Sequence, residues 1–347
     1  MGAPAQRIFF VAHNRNHVRI FAGAAGLLRA RGHDVRFAYI DDQQDLDATV
    51  KAAQTAGFPP THASLLAKDA RAGDIVCVGN DWGPKFFRGV LQRLKRNGAM
   101  RVGIVEGARF AKPGHYVNVE RVLCWGPSGV DTMPGDKVVV GSPAVEAAWR
   151  PNPEPGTRPF VLINYKFTRG AAEIGPLWAR MASAAAEAAG ADYVISAHPL
   201  NVGELAGLKV SHEPFLKLLQ KSTLMITRGS TAIYEGLAAR VSVVYLPIKD
   251  EWRAEFADPM GAFEIAEDEA GLRAAVAAHA KSFAFDADKA DVFLRRHVDL
   301  DANQPAPERM AAALELAVRE RAALVGRAPE SRFAWLAGGF RRVWGAT

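Results

Sequence analysis

Arg228-Gly229-Ser230-Thr231, with Glu235 four residues beyond Thr231, is the stretch of this 347-residue chain best equipped for chemistry. Hydroxyls beside backbone N–H groups suit a phosphate, and a carboxylate one helical turn deeper suits the hydroxyls of a sugar. Two other readings stay open: Ser230 or Thr231 caps a helix, and Glu235 is a solvated helix residue. Other polar groups gather elsewhere in the chain. His13 and His17 bracket the turn His13-Asn14-Arg15-Asn16-His17, Asp81 lies in Gly79-Asn80-Asp81-Trp82-Gly83-Pro84, and Glu106 begins Glu106-Gly107-Ala108-Arg109-Phe110. Surface position without chemistry is the ordinary reading of either histidine alone. Asp81 and Glu106 fit catalysis, a turn or a helix cap.

Buried parallel strands must position these groups. Leu224–Thr227 and Val241–Leu246 are short and almost wholly apolar, as strands covered on both faces by helices are. Between them the polar stretch falls where a strand's C-terminal end meets the next helix, the ligand-binding edge of open α/β sheets. Arg7–Ala12 predicts the first strand, Val18–Arg31 a helix and Val35–Ile40 the second strand. The turn after the first strand lacks the glycine fingerprint of a dinucleotide site. Asp74–Val78, Arg101–Val105, Arg121–Trp125 and Lys137–Val140 predict further strands, which puts Asp81 and Glu106 at strand exits. Pro151–Pro159 holds four prolines and a glycine and reads as a linker. Beyond it Phe160–Asn164 restarts the pattern, Lys166 and Arg169 follow, and Tyr193–Ser196 ends at His198-Pro199. The expected organisation is a Rossmann-like domain over 1–150, a second over 151–304, and a helix with a basic aromatic tail over 305–347.

Composition bounds the class. Apolar residues make up 49% and charged residues 23%, ordinary for a globular enzyme. No run approaches about 18 uninterrupted apolar residues, and the first strand stands where a leader's apolar core would be. Cys77 and Cys124 lie in apolar strands, so buried thiols and a cytoplasmic setting are expected. The formal net charge of +6 suits anionic nucleotides, nucleic acid or an acidic membrane face without choosing among them. Nucleic acid is disfavoured because basic and aromatic residues interleave only in the tail. There Phe333, Trp335, Leu336, Phe340 and Trp344 alternate with Arg332, Arg341 and Arg342. That tail either lies on an anionic membrane or packs back on the first domain.

With these residues in view, the chain resembles two-domain nucleotide-sugar enzymes of the GT-B type. More narrowly it resembles bacterial glycosyltransferases of the capsule polysaccharide and CDP-glycerol glycerophosphotransferase group. The resemblance rests on Arg228–Glu235, His198-Pro199, Trp125-Gly126, Val140-Gly141-Ser142-Pro143 and the segment from Asp299 to Arg309. It implies two Rossmann-like domains facing a cleft, with His198, Ser230 and Thr231 on the donor phosphate and Glu235 on a donor hydroxyl. The group often carries Gln-His-Gly where this chain has Val105-Glu106-Gly107.

The implied reaction moves a sugar, or a glycerophosphoryl group, from a nucleotide-activated donor to a glycan or lipid-linked acceptor of the cell envelope. Lys166, Arg169, His198 and Arg228, with N–H groups of the Gly229–Thr231 turn, would neutralise the leaving phosphate. No metal or cofactor is expected. The acceptor hydroxyl needs a base within about 3 Å, for which His17, Asp81 and Glu106 are the candidates. A non-hydrolysing UDP-N-acetylglucosamine 2-epimerase is the enzyme alternative, disfavoured by the want of an Arg-Glu-rich segment before the donor helix. A non-catalytic nucleotide-binding protein on the same fold is the other.

Overall fold

The computed structural model describes residues 5–40, 46–81, 85–107, 115–149, 160–165, 174–197, 205–249, 251 and 256–324. The chain forms two compact units, Met1–Pro143 with His297–Thr347 and Ala144–Arg296, of which only the described residues are meant here. The linker Pro151–Pro159 and the tail from Val325 lie outside them.

The first unit runs β1 (Arg7–Ala12), α1 (Arg15–Ala30), β2 (Asp34–Tyr39), α2 (Leu46–Thr55), β3 (Thr61–His62), α3 (Ala63–Asp69), β4 (Ile75–Val78), α4 (Lys85–Arg96), β5 (Met100–Ile104), β6 (Arg121–Cys124), α5 (Pro127–Thr132) and β7 (Asp136–Val139). Its strands pair in the order β3-β2-β1-β4-β5-β6-β7, all in parallel. The strand order reverses between β1 and β4, so their C-terminal ends form the crevice where such sheets take ligands. β4 and β5 are buried along their whole length, as the unbroken apolar run of β4 demands; in β5 the run is interrupted by Arg101, which is buried in an ion pair with Glu120. Each fully buried Ile or Val there contributes about 1.5–3 kcal/mol.

α6 (Pro143–Ala148) leads into the second unit: β8 (Phe160–Tyr165), α7 (Ile174–Ala188), β9 (Asp192–Ala197), β10 (Val210–Ser211), α8 (Phe215–Lys221), β11 (Leu224–Thr227), α9 (Ala232–Ala238), β12 (Ser242–Tyr245), β13 (Glu264–Ile265), α10 (Glu269–Ser282) and α11 (Ala287–His297). This sheet is also parallel, in the order β10-β9-β8-β11-β12-β13, with its reversal between β8 and β11.

The last helix, α12 (Ala306–Leu324), packs against α1 in the first unit. Gly23 lets the two backbones approach, since a Cβ there would lie 3.0 Å from Pro307. Glu315 accepts from Arg31 at 3.0 Å and lies 3.3 Å from His33, and Glu320 accepts from Arg121 at 2.6 Å. The expected third segment, 305–347, therefore belongs with the first unit as far as its described residues go. The glycine turns singled out in the sequence serve the same return. The Asp299 N–H donates to the Trp125 carbonyl at 2.8 Å, and the backbone of His297 sits against Gly126, where any Cβ would clash at 2.5 Å. Gly141, at φ +75°, faces the Arg309 guanidinium that donates to Asp299. These motifs hold chain to chain.

Cys77 and Cys124 are buried free thiols, as expected, and burial raises the pKa of both. Among the described residues no helix is long and apolar enough to cross a membrane.

Candidate functional site

In the first unit, the exits of β1, β4 and β5 bring together His13, His17, Asn80, Asp81 and Glu106. Asn14 caps α1, its side chain accepting the His17 N–H at 3.1 Å. The first turn of the helix thereby swings the His17 ring back over β4. The ring lies on Gly79, where a Cβ would fall 2.5 Å from His17 Cε1, so a glycine is required there. His17 Nδ1 accepts the His13 backbone N–H at 3.1 Å, and His17 Nε2 stands 2.6 Å from Glu106 Oε2. A nitrogen that accepts an N–H carries no proton of its own. The ring proton is therefore on Nε2 and is donated to Glu106. The His17 side chain is 0% exposed and that of Glu106 is 20% exposed, so the carboxylate is the member of the pair that a substrate can meet. His13 packs edge-on against Phe87 at 4.7 Å, and burial lowers its pKa to about 3, with His17 adding to the effect and Glu106 opposing it. Both histidines are thus buried, contrary to the surface reading, because the turn they bracket folds down onto β4.

Asp81 has a different occupation. Its Oδ1 accepts the Tyr116 N–H at 2.5 Å, while Oδ2 accepts the backbone and side-chain N–H of Asn118 at 2.8 and 3.1 Å. Burial raises its pKa against the pull of these bonds. The Tyr116 hydroxyl donates to the Gly79 carbonyl at 2.7 Å, and its ring covers Gly103. Tyr116 stands at φ +55°, a conformation costing about 1 kcal/mol or more, and Asp81 holds it there. Of the three base candidates, Asp81 is therefore a clamp on the 116–118 turn, with its acceptor sites turned inward.

In the second unit, the exits of β8, β11 and β12 carry the other candidates. Thr227 is buried, and its hydroxyl accepts from Asn164 at 2.9 Å, locking β11 to β8. Ser230 and Thr231 are partly exposed at the sheet edge; the Ser230 hydroxyl accepts the Ala232 N–H at 3.3 Å, while Thr231 makes no side-chain cap bond. Glu235 is 8% exposed, which removes the solvated-helix reading. The placement of Arg228 and Gly229 departs from the expectation of phosphate ligands. Arg228 is 2% exposed and donates to Glu251 Oε1 at 3.1 Å; the Gly229 N–H donates to Glu251 Oε2 at 3.3 Å. The Tyr245 hydroxyl lies 3.5 Å from the same oxygen. Glu251 thus takes the charge and the N–H that a phosphate was expected to take. Its contribution was missed because it stands in the loop after β12, outside any motif. Lys166, Arg169 and His198 lie outside the described residues. Among the described residues no cluster of three or more His, Cys, Asp or Glu is arranged to hold a metal ion.

No protein-family model and no curated protein matches the sequence. Solved structures do match in fold. UDP-GlcNAc 2-epimerase from Neisseria meningitidis, bound to UDP-GlcNAc, matches over 90% of this chain and 100% of its own, with a TM-score of 0.64 at 10% identity. The spinosyn forosaminyltransferase SpnP matches over 92% and 100%, at 0.57 and 18%. MurG from Acinetobacter baumannii matches over 90% and 100%, at 0.55 and 14%. The two parallel-sheet units have the GT-B fold of these proteins.

Proposed function

We propose that this protein is a metal-independent glycosyltransferase that moves a sugar from a nucleotide-activated donor to a glycan or lipid-linked acceptor of the cell envelope. The observation that carries this reading is the His17–Glu106 pair, 2.6 Å apart at the ligand-binding edge of the first sheet. Glu106 takes the proton of the acceptor hydroxyl as its oxygen attacks the anomeric carbon. The bond from that carbon to the donor phosphate breaks, and its electrons leave with the nucleotide. His17 is a positioning residue: its Nε2–H fixes one carboxylate oxygen, which keeps the base aimed without carrying it into solvent. In the second unit Ser230 and Thr231 meet the leaving phosphate and Glu235 accepts from a donor hydroxyl. Lys166, Arg169 and His198 supply the positive charge that Arg228, neutralised by Glu251, does not. A CDP-glycerol-type donor would use the same groups, with attack at phosphorus instead of carbon. The enzyme would work in the cytoplasm, at the inner membrane face when its acceptor is lipid-linked.

The test is a binding screen of the purified protein against UDP, CMP, CDP, GDP, dTDP and CDP-glycerol in the presence of a chelator. Selective binding that falls in Glu235→Ala, followed by transfer to an added glycan with that donor, is the expected result. Folded protein that binds none of them would overturn the reading. A second reading, sugar-nucleotide 2-epimerisation, is favoured by the higher TM-score of the epimerase structure. It expects conversion of the donor sugar at C2 with no acceptor present.

A further inference from the structure

α4 carries Lys85, Arg88, Arg93, Lys95 and Arg96 and no acidic residue. Its apolar stripe is spent on the core, because Phe87, Val90, Leu91 and Leu94 are all buried. The opposite face is exposed and holds Arg88, Gln92, Arg93, Lys95 and Arg96. Several basic side chains on other surface elements pair with a nearby carboxylate. Arg273 pairs with Glu269 at 2.7 Å, Lys289 with Asp286 at 2.9 Å and Lys221 with Glu213 at 2.9 Å. Arg88, Arg93, Lys95 and Arg96 have no such partner among the described residues. Four uncompensated charges on three turns of helix repel one another, an arrangement that an anionic surface relieves.

Beside this row stand two of the large apolar side chains left exposed by the fold. Phe86, in the first turn of α4, is 37% exposed, and Leu65, on the neighbouring α3, is 54% exposed. α3 and α4 pack against each other, and His62, which caps α3, stacks on Phe86 with ring centroids 6.1 Å apart. Lys68, one turn beyond Leu65, is exposed as well.

We propose that the α3–α4 face docks on a membrane surface rich in anionic lipid. The apolar stripe of α4 is already buried, so the helix does not sink into the bilayer. It lies flat, its arginines and lysine on lipid phosphates, while Phe86 and Leu65 enter the headgroup layer. The exposed apolar pair favours lipid over nucleic acid, for which charge alone would serve. The surface stands independently of the proposed activity, since none of its residues belongs to either sheet-edge site. It is also distinct from the basic aromatic tail.

The experiment is sedimentation of the full chain with phosphatidylcholine vesicles, with and without phosphatidylglycerol. Wild-type protein should bind the anionic vesicles, release them at high salt and ignore pure phosphatidylcholine. Arg88→Gln/Arg93→Gln/Arg96→Gln should bind about a hundredfold more weakly, the effect of removing three interfacial charges. Leu65→Ser/Phe86→Ser should also weaken binding, and in a manner that salt does not mimic. All these positions are exposed, and an unchanged thermal melt verifies the fold. Binding of the triple arginine variant equal to wild type would overturn the proposal and leave the tail as the membrane contact. Failure of folded wild-type protein to bind the anionic vesicles, or preference for a short DNA duplex over them, would also overturn it. Nucleotide binding measured on the same variants should stay unchanged, which separates this result from a failure of the donor site.

Discussion

His17 Nε2 lies 2.6 Å from Glu106 Oε2, and the His13 N–H on His17 Nδ1 determines which of the two holds the proton. Within the pair Glu106 is therefore the hydrogen-bond acceptor and His17 the donor that orients it. Glu106→Gln should lower kcat of transfer about 10²–10⁴-fold with little change in donor affinity. His17→Phe leaves the carboxylate but frees its orientation; it should lower kcat by a smaller factor and displace the acidic limb of the pH–rate profile. Steady-state kinetics from pH 5 to 9 distinguish the two. A variant at His17 more damaging than one at Glu106 would exchange their roles.

Asp81 differs because its carboxylate is turned toward Tyr116 and Asn118. Asp81→Asn cannot accept both N–H groups as the carboxylate does. It should lose about 1–3 kcal/mol of stability by denaturant titration. The pH–rate profile of the surviving activity should keep its shape. A vanished acidic limb would make Asp81 the base.

His13 links the same site to acid stability. Its pKa is about 3 in the folded chain, and burial is the principal cause. An unfolded histidine titrates near 6.5. Between these values the unfolded state binds more protons, so stability falls as pH drops from about 6.5 toward 3. The slope from this residue is about 1.4 kcal/mol per pH unit. In His13→Gln that slope should flatten by the same amount relative to wild type. Urea melts at pH 7, 6 and 5 measure the difference, and parallel slopes would place His13 in contact with water.

Much of this arrangement was legible in the sequence. Apolar runs such as Ile75–Val78 and Leu224–Thr227 became central strands, and the polar residues after them reached the sheet edges. Local periodicity could not show what depends on long-range contact. α2, α3 and α11 were not anticipated, because short helices in polar stretches owe their form to what they pack on. Gly79 carried no signal of its own; only the His17 ring above it explains the residue. Glu251 was likewise silent, since nothing local marks a loop carboxylate whose partner lies 23 positions away.

That partner gives the sharpest test of the donor site. Arg228 and Glu251 form an ion pair with side chains 3% and 8% exposed. Breaking such a pair on one side leaves a buried charge and costs about 3–5 kcal/mol, whereas replacing both partners with apolar residues of similar volume is close to neutral. Glu251→Gln alone should therefore destabilise the protein strongly. Arg228→Met with Glu251→Leu should recover most of the loss in denaturant titrations. If Arg228 only braces the β11 edge, that double variant should bind the nucleotide within a few-fold of wild type, as read by calorimetry. If Arg228 contacts the donor phosphate, as the motif suggested, the double variant will be stable yet lose nucleotide affinity. Stability alone cannot separate these roles, because the same buried charge underlies both; affinity in the apolar double variant can.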